Sequence, residues 1–305
     1  MPGSFLTYPI RSDKLTMTVK VAEALLRRKT RFQSIDIVRT EAFGRMMFLD
    51  GHVQLAELDE HVYHECLVHI PLLNIAEPKS ALIVGGGDGA VLRELCKWPL
   101  ERIDLVEIDA EVIEASREAW PELSNGAFED SRARVHIEDA VEFVGRARNL
   151  HPLPPPPPEQ KEGELRADSD PYDLILLDAT DVYEEDDAGL SEMLFTADFY
   201  RDCRELLSQN GFLVTQADNP VFCPYSLRAI RTELGKVFER TGGYAAPVPS
   251  FGGYSAFCWA SRGAEIAGFW PDGAPENLSL RYLNPFRYAQ AMSELVYLET
   301  SSKKP

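Results

Sequence analysis

The chain has 305 residues, 45% of them hydrophobic, which is enough for one large or two small domains with a sizeable core. It carries 31 Lys and Arg against 49 Asp and Glu, a net charge of −18 that argues against a broad nucleic-acid surface. No apolar run has the length of a membrane span, and we expect no signal peptide at the start of this sequence. The five cysteines are scattered and lack a CxxC pair, so we expect a cytoplasmic protein with reduced thiols.

Residues 1–75 are predicted to form a small N-terminal β-rich domain. The mixture of apolar and charged residues at 20–28 predicts a short helix. Period-two alternation then predicts an extended strand over 31–40, and a second extended stretch is predicted over 45–55, with a turn signal at Leu49-Asp50-Gly51-His52. Apolar residues at helical spacing predict another helix over 60–73.

Residues 76–305 are predicted to form a Rossmann-like catalytic domain of the α/β class, with a doubly wound sheet. Short apolar strands alternate with helices here, which indicates parallel strands covered on both faces. The predicted strands are 81–84, 103–107, 134–137, 172–177 and 211–215, and the predicted helices include 91–98 and 110–119. A Pro-rich acidic stretch at about 149–170 is predicted to be a surface insertion, with a proline ligand for a partner as the alternative.

The strongest local signal is the run Gly85-Gly86-Gly87-Asp88-Gly89 between the first of these strands and its helix. Glycines let the backbone approach a ligand, and the helix N-terminus adds amide donors. No Gly-Lys-Ser/Thr follows, which excludes a nucleoside triphosphate P-loop. Glu107 ends the next strand about twenty residues later and is placed to accept hydrogen bonds from ribose hydroxyls. The pattern predicts a nucleoside site, with a tight structural turn as the alternative.

Several carboxylates indicate the charge of the ligands. Asp88 would repel a pyrophosphate and attract a cation, which favours a sulfonium nucleoside of the S-adenosylmethionine type over NAD. Asp139 follows the third strand and either binds an adenine amine or caps a helix. Asp178 and Asp181 follow the fourth strand and could hold a diamine or accept a proton from an ammonium, with helix caps or solvated acids as the alternative. The consecutive acids 184–187 lack the spacing of a calcium loop, and we expect no metal.

A series of longer motifs runs in order along nearly the whole chain. They are Phe32-Gln33-Ser34-Ile35-Asp36-Ile37-Val38, Leu49-Asp50-Gly51-His52-Val53-Gln54-Leu55, Asp59-Glu60 with Tyr63-His64-Glu65, the glycine loop through Arg93-Glu94, Val106-Glu107-Ile108-Asp109, Asp178 to Asp181, and Leu194-Phe195-Thr196. Together they resemble the spermidine synthase family of polyamine aminopropyltransferases. The resemblance implies a homodimer or homotetramer that moves the aminopropyl group of decarboxylated S-adenosylmethionine to an amine and releases 5′-methylthioadenosine.

The resemblance also implies roles for individual residues. Those expected to bind the donor, besides Gly85 and Gly87, are Gln33, Asp88, Glu107 and Asp139. Those expected around the propyl group and the acceptor amine are Tyr63, His64, Asp178, Asp181 and Gln216. Among these, Asp178 corresponds to the catalytic acid–base, supported by Tyr63.

Two segments depart from the family pattern. Residues 182–189 replace a Pro-x-Gly-Pro-type segment, and Phe251 stands where the family's Pro-Thr-Tyr-Pro segment has an acceptor-side tyrosine. The acceptor is therefore open among putrescine, which is mildly preferred, cadaverine, agmatine, spermidine and longer amines. The alternative functions are an S-adenosylmethionine-dependent N-methyltransferase of small amines and a non-catalytic nucleoside- or polyamine-binding protein.

Overall fold

A computed structural model describes residues 4–150, 170–180, 191–272, 275 and 278–301 of the chain. The N-terminal part forms a five-stranded antiparallel sheet in which neighbours in sequence are neighbours in space. Its strands are β1 (Ser4–Arg11), β2 (Leu15–Lys29), β3 (Ser34–Thr40), β4 (Gly44–Leu49) and β5 (His52–Ala56). The predicted strands therefore occur, and 45–55 is divided into two by a turn at Asp50 and Gly51.

The helix predicted over 20–28 is wrong, because these residues belong to β2. From Leu15 to Val21, apolar residues occupy every second position, and Val19 and Val21 are buried. The alternation up to Val21 thus marks a strand, which continues to Lys29 through two shifts of register against β3. The strand also pairs with β1 on one side and β3 on the other, so its backbone hydrogen bonds are made within a sheet.

The second sheet has seven strands in the order β11-β12-β10-β9-β6-β7-β8. The strands are β6 (Ser80–Gly85), β7 (Arg102–Glu107), β8 (Ala133–Ile137), β9 (Tyr172–Asp178), β10 (Leu207–Gln216), β11 (Arg240–Val248) and β12 (Gly253–Ser261). The five predicted strands, β6 to β10, are parallel, as expected. The sheet as a whole is mixed rather than parallel, because β12 lies antiparallel to β10 and β11 antiparallel to β12.

Helices cover both faces of this sheet, as the apolar strands predict. They are α1 (Glu60–Leu72), α2 (Ala90–Leu95), α3 (Ala110–Ala119), α4 (Pro121–Ser124), α5 (Ala140–Leu150), α6 (Ala197–Leu206), α7 (Pro224–Gly235) and α8 (Pro285–Ser301). One core contains α1 and α2, and the other contains α5, α6 and α7. In the described ranges, no helix combines the length and apolar character needed to cross a membrane. The predicted insertion at about 149–170 lies almost entirely outside these ranges.

Candidate active site

The sheet brings the predicted site residues to one edge. Strands β7, β6 and β9 are parallel neighbours, so their carboxyl ends lie side by side. Glu107 ends β7, Gly85 ends β6 and Asp178 ends β9. The glycine loop and the two carboxylates therefore meet at this edge, where open α/β sheets bind their ligands.

Two adjoining cavities open at this edge. The larger, of about 830 Å³, is lined by Gln33, the glycine loop, Glu107 and Asp139 among others. The smaller, of about 100 Å³, is lined by residues that include Tyr63, His64, Gln216, Asp218 and Phe251. Asp88 and Asp178 line both cavities. The geometry suits a large ligand and a small one that meet at two carboxylates.

Close backbone packing shapes the floor of the larger cavity. Gly85 has a φ of +83°, and a Cβ there would collide with the backbone carbonyl of Asp178. The Gly87 amide donates to Glu107 Oε2 at 3.2 Å, and the Asp109 amide donates to Glu107 Oε1 at 2.9 Å. Burial raises the pKa of Glu107 to about 7. This carboxylate is thus held beside the glycine loop, where a ribose diol could donate to it.

Gln33 and Asp139 lie at the wall of the same cavity. Gln33 Nε2 donates to Asp109 Oδ2 at 3.2 Å, which ties the segment just before β3 to the loop after β7. Asp139 Oδ1 accepts from the Val141 amide at 2.7 Å. Asp139 therefore caps α5 and also lines the cavity, so the two interpretations of this residue are compatible.

A charged cluster lies where the two cavities adjoin. Tyr63 Oη donates to Asp178 Oδ1 at 2.8 Å. Polar atoms of His64, Asp88 and Asp178 lie within 4.8 Å of one another. Burial and the neighbouring Asp88 carboxylate raise the pKa of Asp178 to about 6, although His64 and the Tyr63 hydroxyl oppose the rise. Spacing alone would admit a metal ion here, but it equally fits the ammonium group of a substrate.

Glu60 of α1 and Arg93 of α2 form a network of charged groups that orients His64. Its Nδ1 lies 3.0 Å from Glu60 Oε2, and Arg93 Nη2 donates to the same oxygen at 2.8 Å. Burial alone would raise the pKa of Glu60, but the bonds from His64 and Arg93 lower it to about 2. An ionised carboxylate only accepts hydrogen bonds, so Nδ1 of His64 carries the proton in this pair. Burial lowers the pKa of His64, but Glu60, Asp88 and Asp178 outweigh it and raise the pKa above its usual value.

Gln216 lies at the smaller cavity, as the resemblance implies. Its Nε2 donates to the Ala179 carbonyl at 3.2 Å, and its Oε1 accepts from the Asp218 amide at 3.0 Å. Asp218 was not predicted as a site residue; its half-buried side chain lines this cavity, and desolvation raises the pKa of its carboxyl. The signal was present, because Asp218 follows the end of β10 as Asp178 ends β9. Asp181 and residues 182–189 lie outside the described residues, and the role of Asp181 stays a prediction.

Comparison with protein families gives two matches that adjoin each other along the chain. The spermidine synthase tetramerisation domain matches residues 7–57. The spermine/spermidine synthase domain matches residues 60–266. Together they span both sheets and every described residue of the candidate site.

Similar proteins include curated sequences and solved structures. The polyamine aminopropyltransferase of Clostridium tetani is 37% identical over 248 residues, which cover 81% of this chain and 79% of that protein. That of Moorella thermoacetica is 33% identical over 286 residues, covering 93% and 91%. A spermidine synthase solved with the transition-state analogue AdoDATO gives a TM-score of 0.83 at 26% identity, covering 98% of this chain and 95% of that one. The Thermotoga maritima spermidine synthase gives 0.80 at 26% identity, covering 95% and 90%.

Proposed function

Because this chain belongs to the spermine/spermidine synthase family, we propose that it transfers the aminopropyl group of decarboxylated S-adenosylmethionine to a putrescine-like diamine or a longer polyamine. The resemblance predicted from the motifs is confirmed, and the chain is an aminopropyltransferase. The observation that carries the proposal is the meeting of the two cavities at Asp88 and Asp178.

We assign the larger cavity to the donor. Glu107 would accept from the ribose hydroxyls, and Asp139 from the adenine amine, with Gln33 at the cavity wall. The charges of the donor, a sulfonium and an ammonium, would then lie near Asp88 and Asp178. Ordinary S-adenosylmethionine carries one more carboxylate, which these acids would repel by a few kcal/mol at an effective dielectric constant of about 20. The carboxylates thus support aminopropyl transfer over N-methyl transfer.

We assign the smaller cavity to the acceptor amine. Its reacting nitrogen would lie near Asp178, Tyr63 and His64, and its methylene chain would contact Phe251. Asp218 and Gln216 offer oxygens to the second ammonium. The cavity thus offers polar groups to each of two ammonium groups and an apolar surface to the methylene chain between them. A short diamine has this same order of groups, which supports putrescine as the preferred acceptor.

The reaction is a displacement at the propyl carbon bonded to sulfur. The lone pair of the amine forms the new C–N bond while the C–S electron pair leaves with sulfur, and neutral 5′-methylthioadenosine departs. The attacking ammonium must first lose a proton, which we assign to Asp178 with Tyr63 fixing its carboxylate. A pKa of about 6 makes Asp178 a better base than an exposed aspartate, and a positioned base contributes roughly 10²–10⁴-fold. The leaving group is neutral, so the step requires no metal.

We also propose a homo-oligomer, a homodimer or homotetramer, located in the cytoplasm. The match of residues 7–57 to a tetramerisation domain supports oligomerisation through the small sheet. All five cysteines lie in the described residues and none of them forms a disulfide bond there, which supports a reducing compartment.

The test is turnover with decarboxylated S-adenosylmethionine and a panel of amines, with products identified by mass spectrometry. We expect methylthioadenosine and one aminopropylated product, formed fastest with putrescine. Asp178→Asn should bind the donor as the wild type does, yet lose at least about 100-fold in turnover. Absence of methylthioadenosine with every amine would favour the non-catalytic binding protein instead.

A further inference from the structure

Asp59 is a buried carboxylate in the N-cap position of α1. Its side chain makes no capping hydrogen bond to the helix, although aspartate is a favoured cap and such a bond contributes about 1 kcal/mol. It is 3% exposed, and within the described residues no Lys or Arg forms an ion pair with it. A buried carboxylate in this position must be stabilised by other hydrogen bonds.

Asp59 bonds instead to a residue 191 positions later in the chain. Its Oδ1 accepts from Ser250 Oγ at 2.8 Å, and its Oδ2 accepts from the Ser250 amide at 2.8 Å. Ser250 is fully buried. The two parallel bonds fix both the distance and the orientation of the Pro249–Phe251 turn relative to α1.

Two further elements hold the same turn. Tyr8 Oη, from β1, donates to the Ser250 carbonyl at 3.2 Å. Asn219 Nδ2, from the loop after β10, donates to the Phe251 carbonyl at 2.9 Å. The turn is therefore attached to the small sheet, to the large sheet and to α1.

The turn carries one wall of the smaller cavity. Phe251 lines it, and its ring packs edge-on against Tyr63 with ring centroids 5.8 Å apart. Tyr63 lies one helical turn after Asp59 on α1 and bonds Asp178. The same helix thus positions the catalytic tyrosine and, through Ser250, the aromatic wall that faces it.

We propose that Asp59 and Ser250 are positioning residues that hold Phe251 at a fixed distance from Tyr63 and so select unbranched aliphatic diamines by length. The inference rests on the assignment of the smaller cavity to the acceptor amine. Phe251 offers methylene groups an apolar surface, and a fixed wall discriminates between amines that differ by one methylene. A purely structural role for the two bonds would change stability without changing this discrimination.

The test compares Asp59→Asn and Ser250→Ala with wild type. Asp59→Asn keeps the size of the side chain but places an NH₂ group opposite one of the two Ser250 donors, so one of the two hydrogen bonds is lost. Ser250→Ala removes only the hydrogen bond from the hydroxyl and keeps the one from the backbone amide. Ser261→Ala is the matched control, because its fully buried hydroxyl accepts from the Gly263 and Ala264 amides away from both cavities. Calorimetry gives the Kd of putrescine, cadaverine and the donor, and kinetics give kcat/KM for both amines.

We expect both variants to weaken putrescine binding at least about fivefold while the donor Kd changes less than about twofold. Putrescine and cadaverine differ by one methylene group, and a pocket fitted to one amine can discriminate by about 10–200-fold in kcat/KM on that basis. In both variants, the preference for putrescine over cadaverine in kcat/KM should fall at least about fivefold. Ser261→Ala should lower only the melting temperature. If a folded variant keeps the amine Kd and the ratio of kcat/KM for putrescine and cadaverine, the proposal is wrong and Asp59 only stabilises the fold. If wild type binds amines but produces no methylthioadenosine, the proposed function is wrong. The amine Kd values of wild type and the two variants would still test whether Asp59 and Ser250 position Phe251.

Discussion

Replacing Tyr63 by Phe isolates the hydrogen bond that holds the proposed base. The hydroxyl donates to Asp178 at 2.8 Å, and Phe keeps the ring contacts with Phe251 at 5.8 Å and Phe257 at 5.2 Å between centroids. The bond favours the ionised carboxylate and opposes the rise that burial and Asp88 impose on the pKa of Asp178. Its removal should therefore raise the pKa of Asp178 further.

The magnitude follows from the strength of a hydrogen bond to a charged group. Such a bond contributes about 1.5–3 kcal/mol, and 1.36 kcal/mol corresponds to one pH unit. The acid limb of the pH–rate profile should move upward from about 6 by about one to two pH units in Tyr63→Phe. At pH 6 the ionised fraction of Asp178, and with it the rate, should fall roughly 5–50-fold, but at pH 9 the rate should stay within about twofold of wild type.

The assay is kcat/KM for the donor between pH 5 and 9, because this quantity reports ionisations of the free enzyme. Tyr244→Phe is the matched control, since its buried hydroxyl bonds the Cys66 carbonyl and lies outside both cavities. We expect it to lower stability without moving the acid limb. A limb that does not move in Tyr63→Phe, or a loss of rate that is equal at every pH, would refute the role given to this bond.

Three other predictions concern the donor site and its surroundings. Gly87→Ala would place a Cβ 2.7 Å from Glu107 Oε2, so calorimetry should show donor binding at least about tenfold weaker, whereas Gly145→Ala, with open space around its Cβ, should bind normally. Burial raises the pKa of Glu107 to about 7, so between about pH 4.5 and 7 its ionisation lowers the stability of wild type. As pH rises through that window, urea unfolding should show the free energy of unfolding of Glu107→Gln increasing relative to that of wild type. A difference in free energy that does not change with pH would contradict this. Glu60→Gln removes the charge paired with His64, and NMR titration should show the pKa of His64 falling.

The parallel half of the large sheet could be predicted because each strand is a short apolar run with its own sequence signal. The antiparallel pair β11 and β12 gave no comparable signal in β11, where Gly242 and Gly243 occupy strand positions. Gly242 packs against the Trp259 ring of β12, a contact between distant residues that one sequence does not reveal. β2 was misassigned because its second half, taken alone, has apolar residues between charged ones, a mixture that also occurs in helices.

The candidate site was predicted where its residues follow the ends of strands. Glu107 and Asp178 could be placed at one edge from the order of strands and loops alone, and the structure brings them together with Asp88. The supports of these residues could not be predicted, because they join distant segments. Arg93 bonds Glu60 behind His64, and Asp59 bonds Ser250 across 191 positions.

The most direct measurement of the central claim is the affinity of wild type for two donors that differ by one carboxylate. The proposal places the cationic end of the donor between Asp88 and Asp178, which line both cavities. Calorimetry at pH 8, above the pKa of about 6 of Asp178, should show decarboxylated S-adenosylmethionine binding at least about tenfold more tightly than S-adenosylmethionine. Equal affinities, or a preference for S-adenosylmethionine, would contradict the assignment of these carboxylates to the donor's charged end.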